Sequence, residues 1–371
     1  MSKKLRSGFT TGTCAAAAAA AAVEAYFGYP PLDVEVELPN KKKVTIEVHS
    51  VDIKPSRSKK AGASGEEIIT KVRKDAGDDP DVTNGAIIGA SLMMKEGGND
   101  DVHIEGGKGV GKVTRPGLPV KVGQPAINPV PQKMIRQGIL EAINRYRPPY
   151  DRYGGYTIFV TIFVENGEEL ARKTLNPRLG IVGGLSILGT TGIVKPFSAA
   201  SYRETIEICL RSAKAVKPDK CVLSTGRGSE KRVEKILHDL PEASFVLIAD
   251  FFAFSLKKAR EEGFTDITLA CFFGKLCKWA LEMEYTHAHT QETSFERLAD
   301  LAALGGLSGK FCDFVRGANT AREIYESAWP EKEEFISLIG ERAHQAACNL
   351  AGRGITLYCF DFIGNGYKRW R

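Results

Sequence analysis

The run Lys220-Cys221-Val222-Leu223-Ser224-Thr225-Gly226-Arg227-Gly228-Ser229 passes from a short apolar segment, through a hydroxyl- and glycine-bearing turn, into a helical pattern. A strand buried in a parallel sheet hands over to a crossover helix in this way. The same alternation surrounds it. A helix is predicted over 198–216, a strand over 220–224, a helix over 229–239, a strand over 244–249, a helix over 252–262, a strand over 265–270 and a helix over 274–283. Helical patterns continue to about residue 351, and Ile355–Phe360 supplies a last strand. This order predicts an α/β domain with a mostly parallel, Rossmann-like sheet.

The preceding half reads differently. Val34, Val36 and Leu38, then Val44, Ile46 and Val48, alternate on either side of Pro39-Asn40, which predicts a β-hairpin. Strand-like runs occur at 66–72 and 101–105. A helix is predicted after Asp78-Asp79-Pro80-Asp81, through Ala86–Lys95, another over Pro131–Arg145, and a strand over Tyr156–Val164. Without regular alternation this half reads as α+β. The alanine run from Ala15 to Ala22 follows Lys3, Lys4 and Arg6, but polar Thr10-Thr11-Gly12-Thr13 interrupts any signal-peptide pattern. It reads as a helix capped by Thr11 or Thr13. The expected boundary follows Asn176-Pro177-Arg178, giving an α+β domain over 1–180 and an α/β domain over 181–371.

With 371 residues, 43% hydrophobic and 26% charged, the composition is that of a globular chain, and no run of about 18 uncharged apolar residues exists. The net charge of +6 is mild and dispersed, which argues against a nucleic-acid face and suits a small polyanionic ligand. The 8 cysteines form no zinc spacing and sit mostly in apolar segments, as in a reduced, cytoplasmic protein with no protein-bound metal. Glycine is the anomaly, at 38 of 371.

Three strand-end loops carry the candidate ligand site: Gly189-Thr190-Thr191-Gly192, Gly226-Arg227-Gly228-Ser229 and Ala249-Asp250-Phe251. In open α/β sheets ligands bind outside the carboxyl ends of strands, and helix N-termini attract anions. Gly106-Gly107-Lys108-Gly109-Val110-Gly111-Lys112-Val113 nearly matches a phosphate-binding loop, but Val113 replaces the hydroxyl residue that would hold magnesium. Its amides, with Lys108, Lys112 and Arg115, suit carboxylates instead. Asp78, Asp79 and Asp81 read either as metal ligands or a base, or as the acidic start of a helix. His287 and His289 form an H-x-H without an evident third ligand; His287 is a candidate proton donor.

Taken together, the motifs resemble the CbiD family of cobalt-precorrin-5B C(1)-methyltransferases of anaerobic cobalamin biosynthesis. The resemblance rests on the segments Gly8–Ala16, Gly77–Thr83, Gly109–Leu118, Ala126–Pro131, Asn176–Ile181, Leu185–Val194, Gly274–Leu276 and Thr286-His287, and runs from residue 8 to about 290. It implies transfer of a methyl group from S-adenosyl-L-methionine to ring carbon C-1 of a cobalt-containing, ring-contracted tetrapyrrole. The macrocycle is then the nucleophile, and catalysis comes chiefly from alignment. On this reading the donor lies over the second-domain sheet at Gly189, Thr190, Thr191, Gly192, Gly226, Gly228 and Asp250. The tetrapyrrole lies in the cleft between domains, its carboxylates toward Thr10, Thr11, Thr13, Lys108, Lys112 and Arg115. Asp79 or His287 manages a proton. Neither nucleic acid nor membrane is an expected partner, and oligomeric state is left open, a homo-oligomer included. The competing readings are a non-catalytic corrinoid-binding scaffold and a nucleotide-dependent transferase. Arg115→Ala is expected to raise KM for the tetrapyrrole more than KM for the donor; steady-state kinetics in both substrates checks it, and the reverse order counts against this placement.

Overall fold

Alanine side chains bury little surface each, so a helix built from them is stable only when covered on every side. In the computed structural model, which describes residues 5–55, 66–147, 155–287, 293–364 and 366–371, the helix Thr11–Tyr26 is buried at every position from Thr11 to Ala25. Its cap is Thr10 rather than Thr11 or Thr13: the Thr10 hydroxyl accepts from the Thr13 N–H at 3.2 Å. Against it pack the helix Pro129–Tyr146, the hairpin strand Asp33–Glu37 and a five-stranded sheet. Small side chains permit close approach. The Thr70 hydroxyl donates to the Ala18 carbonyl at 2.6 Å, and even a methyl group at Gly138 would lie 3.6 Å from Ala20 Cβ.

The sheet runs Ser50–Pro55, Glu66–Arg73, Ile87–Gly98, Gly155–Val164, Asp101–Gly106, antiparallel except for the last pairing. Its middle strand corrects the helix expected through Ala86–Lys95. The helix-forming residues Ala90, Leu92, Met93 and Met94 are overridden by partners on both edges, while Ile88, Ala90, Leu92 and Met94 join the alanines in one core. Asp78–Asp81 therefore begin no helix; they form a turn leading into this strand. The hairpin is as expected, with Val34 opposite Ile46 and Val36 opposite Val44.

The chain separates into two units, Met1–Ser198 and Ala199–Arg371. Residues 181–194, assigned from sequence to the second domain, belong with the first. Ile181-Val182 pair with Lys112-Val113, Gly184-Leu185 with Gly109-Val110, and Ile193-Val194 with Gly8-Phe9. The near phosphate-binding loop is thus a pinned ribbon of two short strands, with no helix after it.

The second unit contains a five-stranded mixed sheet in the order Phe245–Leu247, Lys220–Ser224, Asp266–Phe272, Ile355–Phe360, Tyr367–Trp370. The first three pairings are parallel and the last antiparallel. Strands 220–224 and 355–360 fall where their apolar runs placed them. The last strand, half charged and at an edge, went unpredicted; its Trp370 ring lies against Gly340, where no side chain fits. The chain is a mixed α/β protein, and among the described residues no helix is long and apolar enough to cross a membrane.

Gly89 faces Phe163 across the central strands, and a Cβ there would lie 2.2 Å from the ring. Gly89→Ala is expected to cost about 1–3 kcal/mol, and much less in a Phe163→Ala background; urea unfolding of the two single variants and the double variant measures the coupling.

Candidate active site

In the first unit the motif segments converge on the start of the alanine helix. The Thr10 N–H donates to the Gly192 carbonyl at 3.1 Å and the Gly12 N–H to the Leu188 carbonyl at 3.0 Å. The Thr11 hydroxyl donates to the carbonyls of Ser186 and Leu188 and accepts from the Leu188 N–H at 2.9 Å. The Thr13 hydroxyl donates to the Gly192 carbonyl at 2.7 Å. Beneath this lies a further layer. The Ser186 hydroxyl donates to the Asn176 side-chain oxygen at 3.2 Å, the Asn176 amide donates to the Gly184 carbonyl at 3.2 Å, and the Asn128 N–H donates to the Ile187 carbonyl at 2.9 Å.

This corrects two expectations. Thr10, Thr11 and Thr13 are buried, their hydroxyls spent inside the fold. The loop Gly189–Gly192 belongs to the first unit, not to the sheet of the second. Its glycines have structural reasons: Gly189 (φ +135°) and Gly192 (φ +79°) occupy left-handed backbone regions, and a Cβ would lie 2.3 Å from the Thr10 hydroxyl oxygen in one case and 2.6 Å from Leu38 in the other. Thr190 and Thr191 are on the outer side of this loop, both exposed. Burial pushes the Cys14 thiol up to about 12, so this cysteine is no nucleophile.

The aspartate turn is built on the same knot. The Phe9 N–H donates to the Asp75 carbonyl at 2.7 Å, Arg6 pairs through its guanidinium with Asp75, and Asp78 accepts the Arg6 N–H at 2.6 Å. Asp81 accepts from the buried Lys74 ammonium at 2.7 Å and from the Thr83 N–H and hydroxyl, each at 2.7 Å. Burial pushes the Asp81 carboxyl up, but Lys74 and Thr83 together outweigh it and hold it below its ordinary value. Asp79 accepts from the Phe197 N–H at 3.3 Å. The carboxylates thus go to separate partners, and among the described residues no three candidate metal ligands come together.

Lys112 is exposed on the ribbon, Lys108 borders it and is also exposed, and Arg115 is half-buried with its aliphatic stem over Gly180. Lys108 lines a cavity of about 390 Å³ with Phe163, Glu165, Asn166, Glu168 and Glu169.

In the second unit the chain runs from the strand at 220–224 outward to 245–247 and returns to 266–272 on the other side. At such a reversal the loops at the carboxyl ends diverge and leave a crevice. Gly226 stands there, extended, immediately before the helix Arg227–Ile236, with no atom within 4 Å of a Cβ placed on it. Gly228 lies under Phe272, and a Cβ added to it would stand 3.1 Å from the ring. Asp250, at the end of the neighbouring strand, forms an ion pair with Lys275. Lys275 also donates to the Thr286 carbonyl and hydroxyl at 3.1 Å each, Lys278 donates to the same carbonyl at 3.0 Å, and the Thr286 N–H donates to the Asp250 carbonyl at 3.0 Å. Burial, then the Asp250 charge, push the Tyr202 phenol above its ordinary value. His287 is half-buried, its ring parallel to Tyr285 at 6.0 Å; His289 lies outside the described residues.

The structure thus places Gly226, Gly228, Asp250 and His287 in the second unit, and Asp79, Thr190, Thr191, Lys108, Lys112 and Arg115 in the first. Sequence reasoning missed Lys275 and Lys74 as organising residues. Lys275 carried a signal, its position just past the carboxyl end of a predicted strand; Lys74 carried none, because a strand-end lysine reads as solvated.

Fold and site together define a mixed α/β protein with a glycine-bearing strand-end turn in one unit and a densely bonded motif knot in the other. The family model CbiD matches residues 1–196, and the model CbiD, C-terminal domain, matches residues 285–367. The chain belongs to the CbiD family. The C-terminal match also gives weight to the segment after 290, beyond the span the motifs had covered. A protein named cobalt-precorrin-5B C(1)-methyltransferase from Geobacillus kaustophilus is 41% identical over 368 residues, covering 99% of this chain and 94% of that one. Proteins of the same name from Desulfotalea psychrophila and Geobacter metallireducens are 38% and 41% identical, covering 97% and 94% of this chain and 96% and 94% of theirs. A crystal structure of a cobalamin biosynthesis protein (cbiD) from Archaeoglobus fulgidus is 29% identical, with a TM-score of 0.39, covering 74% of this chain and 80% of that one.

The folded pKa of Asp81 lies below its unfolded value, so the stability it contributes is present above the unfolded carboxylate range and is lost as pH falls through the folded value. Lys74→Met strands Asp81 without its ammonium. It is expected to cost about 3 kcal/mol at neutral pH and to flatten the acid limb of stability, read by urea unfolding between about pH 3 and 7.

Proposed function

We propose that this chain transfers a methyl group from S-adenosyl-L-methionine to C-1 of cobalt-precorrin-5B in cobalamin biosynthesis. The observation that carries the reading is the near-full-length match to relatives of that name. When bound, the donor supplies an electrophilic methyl group. The second unit's sheet is read as a Rossmann-like donor scaffold. Gly226 has open space where a side chain would stand, the amides opening the helix Arg227–Ile236 suit a carboxylate or hydroxyl, and the Asp250 carboxylate suits hydroxyl or ammonium donors. Those residues fit the donor's polar groups. In the first unit, Lys108, Lys112 and half-buried Arg115 suit the carboxylates around the macrocycle. The ring carbon is the nucleophile, so these side chains hold and orient rather than attack. His287 is assigned the movement of a proton. A cytoplasmic setting follows from the reaction's place in biosynthesis.

Because nothing in the fold approaches a Cβ at Gly226, Gly226→Val is expected to fold normally and to weaken S-adenosylhomocysteine binding at least roughly tenfold, with corrinoid binding unchanged. Calorimetric titration, followed by a methyl-transfer assay on cobalt-precorrin-5B, checks this. A wild-type chain that binds the corrinoid but neither S-adenosylmethionine nor its demethylated product would be a scaffold instead.

A further inference from the structure

Phe197 sits badly for a phenylalanine. Its φ of +54° is a backbone region that bulky side chains avoid, and its side chain is 75% exposed. Folding therefore gains little from the ring, while the backbone is strained; glycine would suit the site better. Strain of this kind persists only where the surroundings impose it.

The surroundings do impose it, from both sides. The Phe197 N–H is held by the Asp79 carboxylate at 3.3 Å. Asp79 projects from a turn fixed by Gly77, whose φ of +69° and close approach to the Arg6 carbonyl leave no room for a side chain. Asp75 accepts the Gly77 N–H at 2.8 Å, and Asp78 is bound to the Arg6 N–H. On the other side Ile193 and Val194 pair with Phe9 and Gly8. Both ends of the Asp79–Phe197 contact are thus anchored to the segment Arg6–Phe9. Leu188, on the loop bonded to Thr11 and Gly12, is a second exposed apolar side chain of the same knot, and Lys195 stands two residues before Phe197.

We propose that Phe197 is a substrate-contact residue whose ring stacks on the flat face of the tetrapyrrole, and that Asp79 is the positioning residue that holds it there. The inference rests on the functional reading above. A conjugated macrocycle rimmed with carboxylates matches an exposed aromatic ring with an exposed lysine two residues before it in the chain. Asp79 then acts through Phe197 rather than on the reacting carbon.

The test titrates cobalt-precorrin-5B into the full-length protein under anaerobic conditions, followed by the ligand's visible absorption, with S-adenosylhomocysteine calorimetry and thermal unfolding in parallel. Phe197→Gly is expected to weaken corrinoid binding roughly tenfold, to leave S-adenosylhomocysteine binding unchanged, and to keep or raise Tm, because the strain is relieved. Phe197→Tyr recovers corrinoid affinity. Asp79→Ala weakens corrinoid binding by a factor similar to Phe197→Gly, and Asp79→Asn, which keeps an acceptor for the Phe197 N–H, recovers most of it. Wild-type corrinoid affinity in Phe197→Gly, a lowered Tm, or a change in sedimentation mass instead of affinity overturns the inference alone. A wild-type chain that binds no corrinoid overturns the functional reading, and this inference with it.

Discussion

The first unit depends on one constraint: a helix of alanines has no bulk of its own, so other parts of the chain must come to it. Val34, Ile68, Ile88 and Ile135 supply the volume that Ala15–Ala22 lack, and all belong to one core. At the helix start, where four N–H groups lack partners within the helix, the loop at 186–192 and the Thr10 and Thr13 hydroxyls take up the polar groups. A buried helix end left unsatisfied would be costly. The knot at Thr10–Thr13 is therefore first a solution to burial, and its rigidity is what lets the exposed groups around it be held in place.

The two candidate regions differ in how they are built. In the first unit, polar side chains close to the helix are consumed by the fold, and only outer residues such as Lys112, Thr191 and Phe197 are left to solvent. In the second unit the candidate region lies where strand order reverses, since the chain passes outward from its first strand and returns on that strand's other side. There Lys275 ties Asp250 to Thr286, so a single ammonium fixes two loop segments and the residue before His287. Charge-assisted bonds of this kind fix geometry more firmly than neutral ones.

Much of the second unit was legible because its signal is local. The apolar runs at Cys221–Leu223 and Ile355–Phe360 are short enough to be buried strands, and each is followed or preceded by turn residues that stop them. The helix expected over 86–95 failed because Ala90, Leu92, Met93 and Met94 favour helices in isolation, whereas the partners Ile68–Arg73 and Ile158–Val164, far off in sequence, pair on both edges. The threonines at 10, 11 and 13 had the chemistry of a ligand site, yet the hydroxyls of Thr11 and Thr13 met a loop about 180 residues away instead of a ligand.

Sequence by itself determined the mixed α/β class, the hairpin at 33–47, the glycine turns and the family, since periodicity and motif order are properties of neighbouring residues. Only the tertiary structure decided that residues 181–194 complete the first unit, that Asp250 is paired, that Lys74 is buried against Asp81, and that the Phe197 N–H meets the Asp79 carboxylate. The physical reason is common to all four. Whether a polar group binds a ligand or the protein itself depends on which distant backbone arrives beside it, and that is settled by burial of the alanine helix and by strand order, not by the residues on either side in the chain.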